Sequence, residues 1–579
     1  MRLNTNKTTK REFLRNSLLQ LSEVITIRGA GNVTIYVTTL FLLFNNLNYS
    51  TFVSDHENYL LQFRRRIDPS FAKNDWYVEK IQEHHFIFTE ILVLLSKFLT
   101  LEQTLYLLFV LNFIILSIAV GLICQKVNMG TRGFLLSMAL IQLFDGNTVG
   151  GVNFLPASTL PHYLSLSLFL FSYWAHIRGH TRVLTTMIIC ILYINFSTGF
   201  FAIAYFNLIW IISLSKGDLK INKLILRNLI ILLNVVVYLL VTNFTFIKSN
   251  VDRQNYSIFF ELRAPHHYLY TFFTPTQYIL TSTLLVLVYI LQSKVKPQLP
   301  NLDTFVYFLI AMFVASTIAT VHFLPEFLRL FPFRLFPILI PISAILVAQQ
   351  ITKCKSKRSL LFWNVLIFMI LVVSKNRPEL NPYKWQKLIE VHFLISLFLL
   401  FFVCMNIILR KYGQDWQRLM SSSSVLIIFL VTLLAFPTIK LIQNFEAYDV
   451  NGLNRMTKVI PKGATILVPP SAGEVRFLGE RAIVVDYSAS PLDLNFMEFW
   501  RERITQLSCG RTFEDSKKGY ELWDAIAREY NRCPVSELIQ IATRYQARYI
   551  LLERPNTSQG KSLLVPLGEF GIYDLFRIP

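Results

Sequence analysis

Long apolar stretches recur along most of this 579-residue chain, separated by short polar segments. A helix that crosses the roughly 30 Å hydrocarbon core of a bilayer needs about 20 mostly apolar residues. On that criterion spans are expected near residues 32–47, 86–100, 104–123, 133–146, 162–177, 184–213, 223–247, 276–292, 304–322, 335–350, 359–374, 390–408 and 423–440, about thirteen in all. The run 184–213 is interrupted by Asn195-Phe196-Ser197-Thr198-Gly199, which makes it a kinked span or two half-helices. Only 16% of residues are charged, against about 25% in a typical soluble domain, and 53% are apolar. A soluble enzyme, a disordered tail, a collagen and a disulfide scaffold are excluded. A polytopic α-helical membrane protein remains. Arg2, Lys7, Lys10, Arg11 and Arg15 precede the first apolar run, which starts near Val33 with no A-x-A-like site after it. That pattern predicts a retained span, not a cleaved signal peptide.

The net charge of +20 invites a nucleic-acid reading until it is located. Residues 441–579 carry 17 basic and 17 acidic residues, so the whole excess lies in residues 1–440, much of it in short loops between apolar runs. No nucleic-acid partner is expected; the bilayer is. The positive-inside rule places the tail 1–31, Lys216–Arg227, Lys294–Lys296, Lys353–Arg358 and Arg410–Arg418 in the cytoplasm. The first loop 48–85, the loop 248–275 and the C-terminal domain then lie outside. Lys126–Arg132, His180–Arg182 and Lys375–Lys387 also fall outside, against the rule, and a miscounted span would explain that.

Residues 441–579 read differently. β-rich runs at Ala464–Val468, Ala482–Val485 and Arg548–Leu552 alternate with helical spacing at Leu492–Leu507 and Tyr520–Tyr530. This predicts a small extracytoplasmic α/β domain. No glycine fingerprint follows a strand, so no nucleotide site is expected there. Cys509 and Cys533 can pair if the domain is extracytoplasmic, although spacing alone does not show it.

Three constellations could carry chemistry. The first loop holds Asp55, His56, Glu57 and Tyr59, then Arg64–Arg66, Asp68-Pro69, Asp75-Trp76-Tyr77 and His84-His85. A carboxylate at the bilayer edge can ligate a divalent cation or act as a general base. The second is Arg263-Ala264-Pro265-His266-His267-Tyr268, where arginine can grip phosphate oxygens and histidine can hydrogen-bond them. The third pairs Arg329 with Arg334 beside apolar residues, a pattern that suits a lipid phosphate. Asp145 and His162 stand near span ends and are further candidates. Each pattern has a plainer alternative: a solvated loop, an interfacial anchor, or snorkelling arginines. Walker, GxSxG, HExxH and CxxC patterns are absent.

The order of these features resembles the GT-C superfamily of membrane glycosyltransferases. Asp55, Glu57 and Tyr59, with His56 between the acids, look like the first-loop acidic motif of that superfamily. Asp68-Pro69, Asp75-Trp76-Tyr77 and the R-x-P-H-H-Y run 263–268 look like a bacterial multi-pass family associated with it. The resemblance implies transfer of a sugar from a polyprenyl-phosphate donor to an acceptor the sequence does not name, at the outer face of a bacterial plasma membrane. It implies Asp55 or Glu57 as base, or as ligands of Mg or Mn. It implies Arg263, His266, His267, Arg329 and Arg334 at the donor phosphate. The alternatives are a lipid or solute transporter, which would show paired broken helices in two repeated halves, and a catalytically inactive envelope-assembly protein.

Overall fold

The computed structural model describes residues 49, 56–80, 85–155, 158–217, 221–242, 253–322, 324–353, parts of 362–370, 450–490, 494–511, 517–555 and 558–579. The tail 1–31, the expected spans 32–47, 390–408 and 423–440, the loops Lys375–Lys387 and Arg410–Arg418, and Asp55 lie outside the described residues.

Short helices α1 (Leu61–Ile67) and α2 (Trp76–Lys80) form the first loop, followed by α3 (Phe86–Leu95). The helical bundle then comprises α4 (Leu101–Lys126), α5 (Thr131–Phe144), α6 (Pro161–Ile177), α7 (Thr181–Ile194), α8 (Phe196–Ser215), α9 (Ile221–Thr242), α10 (Pro275–Val295), α11 (Leu302–Val321) and α12 (Leu339–Lys353). Five stretches among the described residues are long and apolar enough to cross a membrane: α4, α8, α10, α11 and the segment Pro325–Lys353. Lipid-facing positions such as Leu229, Leu232, Leu240, Val286 and Val321 are exposed apolar side chains, as a bilayer-embedded bundle requires.

One expected span is corrected, and the alternatives left open for another are decided. The run 86–100 does not make a crossing. α3 has 10 residues, about 15 Å at 1.5 Å per residue, half the hydrocarbon thickness. Thr100 and Gln103 then form a capping box that starts α4 afresh. Both ends of α3 lie on one face: His85 bonds the Ile194 carbonyl at 2.9 Å, and Leu105 of α4 accepts from Thr159, whose own carbonyl bonds His56. Phe88 and Leu92 pack in one core with Leu61 and Phe63 of the first loop and Ile466 and Leu551 of the C-terminal sheet. The run 184–213 is two helices. Asn195 is extended (φ −148°, ψ 106°) and caps α8 by accepting from Thr198 at 3.0 Å. Gly199 there sits so close to Leu192 that a Cβ would meet its Cα at 2.4 Å.

These two changes put Lys126–Arg132 and His180–Arg182 on the same end of the bundle as Lys216, Lys294–Lys296 and Lys353. Gln349 of α12 bonds the Val127 carbonyl, and Asn301 bonds His176 at 3.1 Å. The other end, called the site face below, carries the first loop and the C-terminal domain.

The C-terminal domain contains α13 (Val450–Val459), β1 (Thr465–Leu467), α14 (Glu474–Phe477), β2 (Ala482–Ile483), α15 (Met497–Gln506), α16 (Gly519–Tyr530), α17 (Val535–Arg544), β3 (Tyr549–Glu553), β4 (Val565–Phe570) and β5 (Tyr573–Arg577). The sheet order is β2-β1-β3-β5-β4, parallel through β2, β1 and β3 and antiparallel beyond. β1, β2 and β3 fall on the three β-rich runs of the sequence. β4 escapes that reading because Pro566 and Gly568 break its pattern at a bulge. Cys509 and Cys533 form a disulfide with a Cα separation of 5.9 Å.

Candidate active site

The first loop is fixed to both bodies of the protein. A short helix, His56–Tyr59, buries His56 completely, with Nε2 2.8 Å from the Thr159 carbonyl. Burial pushes this imidazole down to about 4, so it is neutral, and its Nε2–H donates to that carbonyl. His56 is a strut that ties the first loop to Thr159. Glu57 lies in the same helix, with its side chain outside the description, as is Asp55. Asn58 donates to the Ser488 carbonyl at 3.1 Å and accepts from Tyr77 at 3.0 Å. Tyr59 packs on His85 at 4.8 Å.

Two candidate carboxylates hold structure. Asp75 is fully buried; it accepts from the amides of Tyr77, Val78 and Ile483 and pairs with Arg476 at 2.8 Å. Asp145, at the end of α5, accepts from the amides of Phe154 and Leu155, both at 2.9 Å. It thereby shapes the loop 145–160.

That loop brings the second and third constellations together. Ile258–Arg263 is a π-helical turn; Ala264 leaves helical geometry, and Pro265 starts a new turn through Tyr268. The two histidines diverge. His266 stacks near Tyr520 of α16 at 4.4 Å, while His267 Nδ1 lies 3.0 Å from the Gly150 carbonyl and donates to it. Gly150 has φ +87°, and a Cβ on it would sit 2.6 Å from the Cβ of Phe333, so only glycine lets this loop meet the segment carrying Arg334. Tyr268 packs on Phe331 at 4.6 Å, and the Arg334 guanidinium stands over the same Phe331 ring at 4.5 Å.

The charges of Arg263 and Arg334 both act on His267 and on Tyr268, and Arg334 also reaches His162. Burial, with the Arg334 charge next, pushes His267 down to about 3. His266 is lowered by burial and by its neighbours His267 and Arg263. Both rings are therefore neutral, which keeps like charge from accumulating beside the arginines. Among the described residues, the Tyr268 hydroxyl, His266 Nδ1, Arg263 Nε and both nitrogens of His162 are buried without a hydrogen-bond partner. Buried polar atoms of this kind are rare unless something satisfies them. Arg263 Nη2 donates to the Ser488 carbonyl at 2.6 Å, and its guanidinium stands over Tyr487 at 5.2 Å. Arg329 is engaged with Tyr256 beside Glu326, and its charge also reaches Tyr268.

The structure thus gathers His162, Arg263, His266, His267, Tyr268 and Arg334 at one place on the site face. Sequence reasoning missed Asn58, Ser488 and Tyr520. Ser488 acts through its backbone carbonyl, which carries no residue signal. Among the described residues, the ligand-type atoms that cluster as a metal site would are those of Cys509, Cys533 and Glu537. Two of these are spent in the disulfide, so that group does not fit a cation. A groove of about 1120 Å³ lies on the outer surface between α15 and α17, lined by Glu502, Gln540 and Arg544, and contains none of the candidate residues.

A family model described as "Domain of unknown function (DUF6798)" matches residues 453–507, the segment from α13 to the end of α15. No curated protein sequence matches the chain. The solved structure of ArnT from Cupriavidus metallidurans in the apo state is similar over 94% of this chain and 98% of that one, at 12% identity and a TM-score of 0.49.

Proposed function

We propose that this protein is a multi-pass membrane glycosyltransferase that takes its sugar from a polyprenyl-phosphate donor. The observation that carries the reading is the meeting of Arg263, Arg334 and unpartnered neutral donors at one end of an apolar bundle. Two guanidiniums beside Tyr268, His266 and His162 make a site for a phosphate held at membrane depth. Neutral imidazoles donate to such an anion without competing for charge. The acceptor hydroxyl oxygen attacks the sugar's anomeric carbon. Its proton passes to Asp55 or Glu57, the bond from that carbon to the phosphate oxygen breaks, and the electron pair leaves on the lipid phosphate. Charge grows on that phosphate in the transition state, so the arginines lower the barrier selectively.

In this reading the basic end of the bundle faces the cytoplasm and the site face lies outside, in a bacterial plasma membrane. The disulfide agrees, since such bonds persist in oxidising compartments. Asp55 and Glu57 are proposed as base, or as Mg or Mn ligands. The acceptor is a hydroxyl compound on the outer side.

The test is sugar transfer from a radiolabelled polyprenyl-phosphate donor in proteoliposomes. Asp55→Asn is expected to lower turnover by at least about 10²-fold, the lower end for a general base. Arg263→Ala is expected to raise the donor KM, and to lower kcat only as far as its contact strengthens with developing charge. Full activity in both Asp55→Asn and Glu57→Gln overturns the assignment of the first loop. No turnover of any donor by the unmodified protein overturns the transferase reading and favours a transporter or an assembly protein.

A further inference from the structure

Three charged side chains are buried where the first loop meets the C-terminal domain. Arg476 is 1% exposed; Asp75 and Asp486 are fully buried. Arg476 Nε pairs with Asp75 at 2.8 Å, and its Nη1 pairs with Asp486. Each carboxylate has further work. Asp75 caps α2 and takes the Ile483 amide of β2. Asp486 takes the Ala489 amide and the Ser488 hydroxyl at 3.0 Å, and its backbone carbonyl takes the Trp500 indole at 3.1 Å. The turn 486–489 is therefore held from three sides.

The same turn presents the Ser488 carbonyl, and two donors meet there. One is Asn58, next to Glu57 of the acidic motif, at 3.1 Å; the other is Arg263 of the phosphate cluster, at 2.6 Å. Asn58 is fixed in turn by Tyr77, whose ring lies under Arg476 at 5.1 Å. Tyr487, in the middle of the turn, supports Arg263 from below and bonds the Leu262 carbonyl at 3.2 Å. The two halves of the proposed site come from segments about 200 residues apart. They share one carbonyl, and that carbonyl belongs to a third segment.

We infer that Asp486, with Arg476 and Asp75, is a positioning residue: it holds the Ser488 carbonyl so that Asn58 of the first loop and Arg263 keep a fixed separation. The C-terminal domain is on this account a working part of the site and not a lid over it. The inference rests on the proposed transferase reading for its kinetic test alone. A misplacement of about 1 Å costs on the order of 10²-fold in rate, so a small shift of this turn is enough.

The experiment is a double-mutant cycle on the full-length protein in nanodiscs, with hydrogen exchange beside it. Asp486→Asn keeps the shape and weakens the grip of Arg476. It is expected to lower kcat/KM about 10- to 100-fold. Because Asp486 acts through Arg263, Asp486→Asn with Arg263→Ala is expected to fall within about 3-fold of the worse single variant, where independent effects would multiply. Asn58→Ala serves as a second, milder route to the same loss. Lys462→Ala, which breaks the exposed pair with Asp68 across the same interface, is the control and is expected to leave activity unchanged. Amide exchange in Asp486→Asn is expected to rise in 256–268 and 56–60 while 565–577 stays protected. Multiplying effects in the cycle, or exchange that rises only within 474–490, overturns the inference. If no donor is turned over by the unmodified protein, the exchange pattern still decides the positioning claim, and the transferase reading fails separately.

Discussion

Glu474→Gln tests how much buried charge the first-loop junction tolerates. Glu474 is 4% exposed. One carboxyl oxygen accepts from Tyr573 at 2.6 Å, and the other has no partner among the described residues. Burial is the largest influence, and Asp486 and Glu553 add repulsion; together they push the group up to about 7 from an ordinary 4.5. The sign follows from linkage. Below about pH 4.5 both folded and unfolded states hold the proton, and the group is neutral in its effect. As pH rises from there to about 7 the unfolded chain ionises and the folded chain does not, so stability falls. Above 7 the loss levels off. At about 1.4 kcal/mol per unit, the full loss is about 3 kcal/mol. Glutamine cannot ionise, so its stability relative to the native chain should rise by that amount between pH 4.5 and 8. The fixed offset from its buried amide is the same at every pH and cancels. For a domain of this size 3 kcal/mol corresponds to roughly 10 °C in Tm. Thermal scans of the solubilised protein followed by tryptophan fluorescence, with Trp500 fully buried in the domain, measure it. A Tm difference that stays constant from pH 5 to 8 refutes the reasoning.

Two further predictions concern the site face. Gly150→Ala combines left-handed strain with a 2.6 Å approach to Phe333, whereas a Cβ on Gly151 meets nothing nearer than 3.4 Å; Gly150→Ala should cost about 2–5 kcal/mol and Gly151→Ala about 1–2 kcal/mol, and equal Tm values for the two variants would contradict this. Single cysteines at Arg132 and Arg182 should react with an impermeant maleimide from the same side as one at Lys353 and from the opposite side to one at Lys462, and labelling of Arg132 together with Lys462 would restore α3 as a crossing.

Much of the fold was written in apolar runs, and the corrections show what such runs leave out. Phe86–Leu95 has the composition of a span without the length. The signal that ends it was present: Thr100 and Gln103 stand three apart, as a capping box requires. Asn195 likewise announced a helix start inside one apolar run, because its side chain can satisfy the first free amides of α8. With those two boundaries read, Lys126–Arg132 and His180–Arg182, two of the three basic loops that broke the positive-inside rule, fall on the basic end of the bundle. The site was legible in part. Arg263, His266, His267 and Arg334 stood out as residue types, and the structure adds their convergence through Gly150 and Phe333. Asp75 looked like a free carboxylate because its counter-ion, Arg476, is some 400 residues away. Hydropathy cannot pair charges across that distance. Ser488 left no trace at all, since a main-chain carbonyl is available at every position and only the turn that aims it gives it a role. Charge explains why such a turn needs strong restraint. Arg263 and Asn58 both donate to its carbonyl, and a carbonyl that yielded to either would let the first loop and the phosphate cluster drift apart. Two carboxylates around one buried arginine are an expensive way to hold four residues. The expense is understandable where the separation of two halves of a site depends on it.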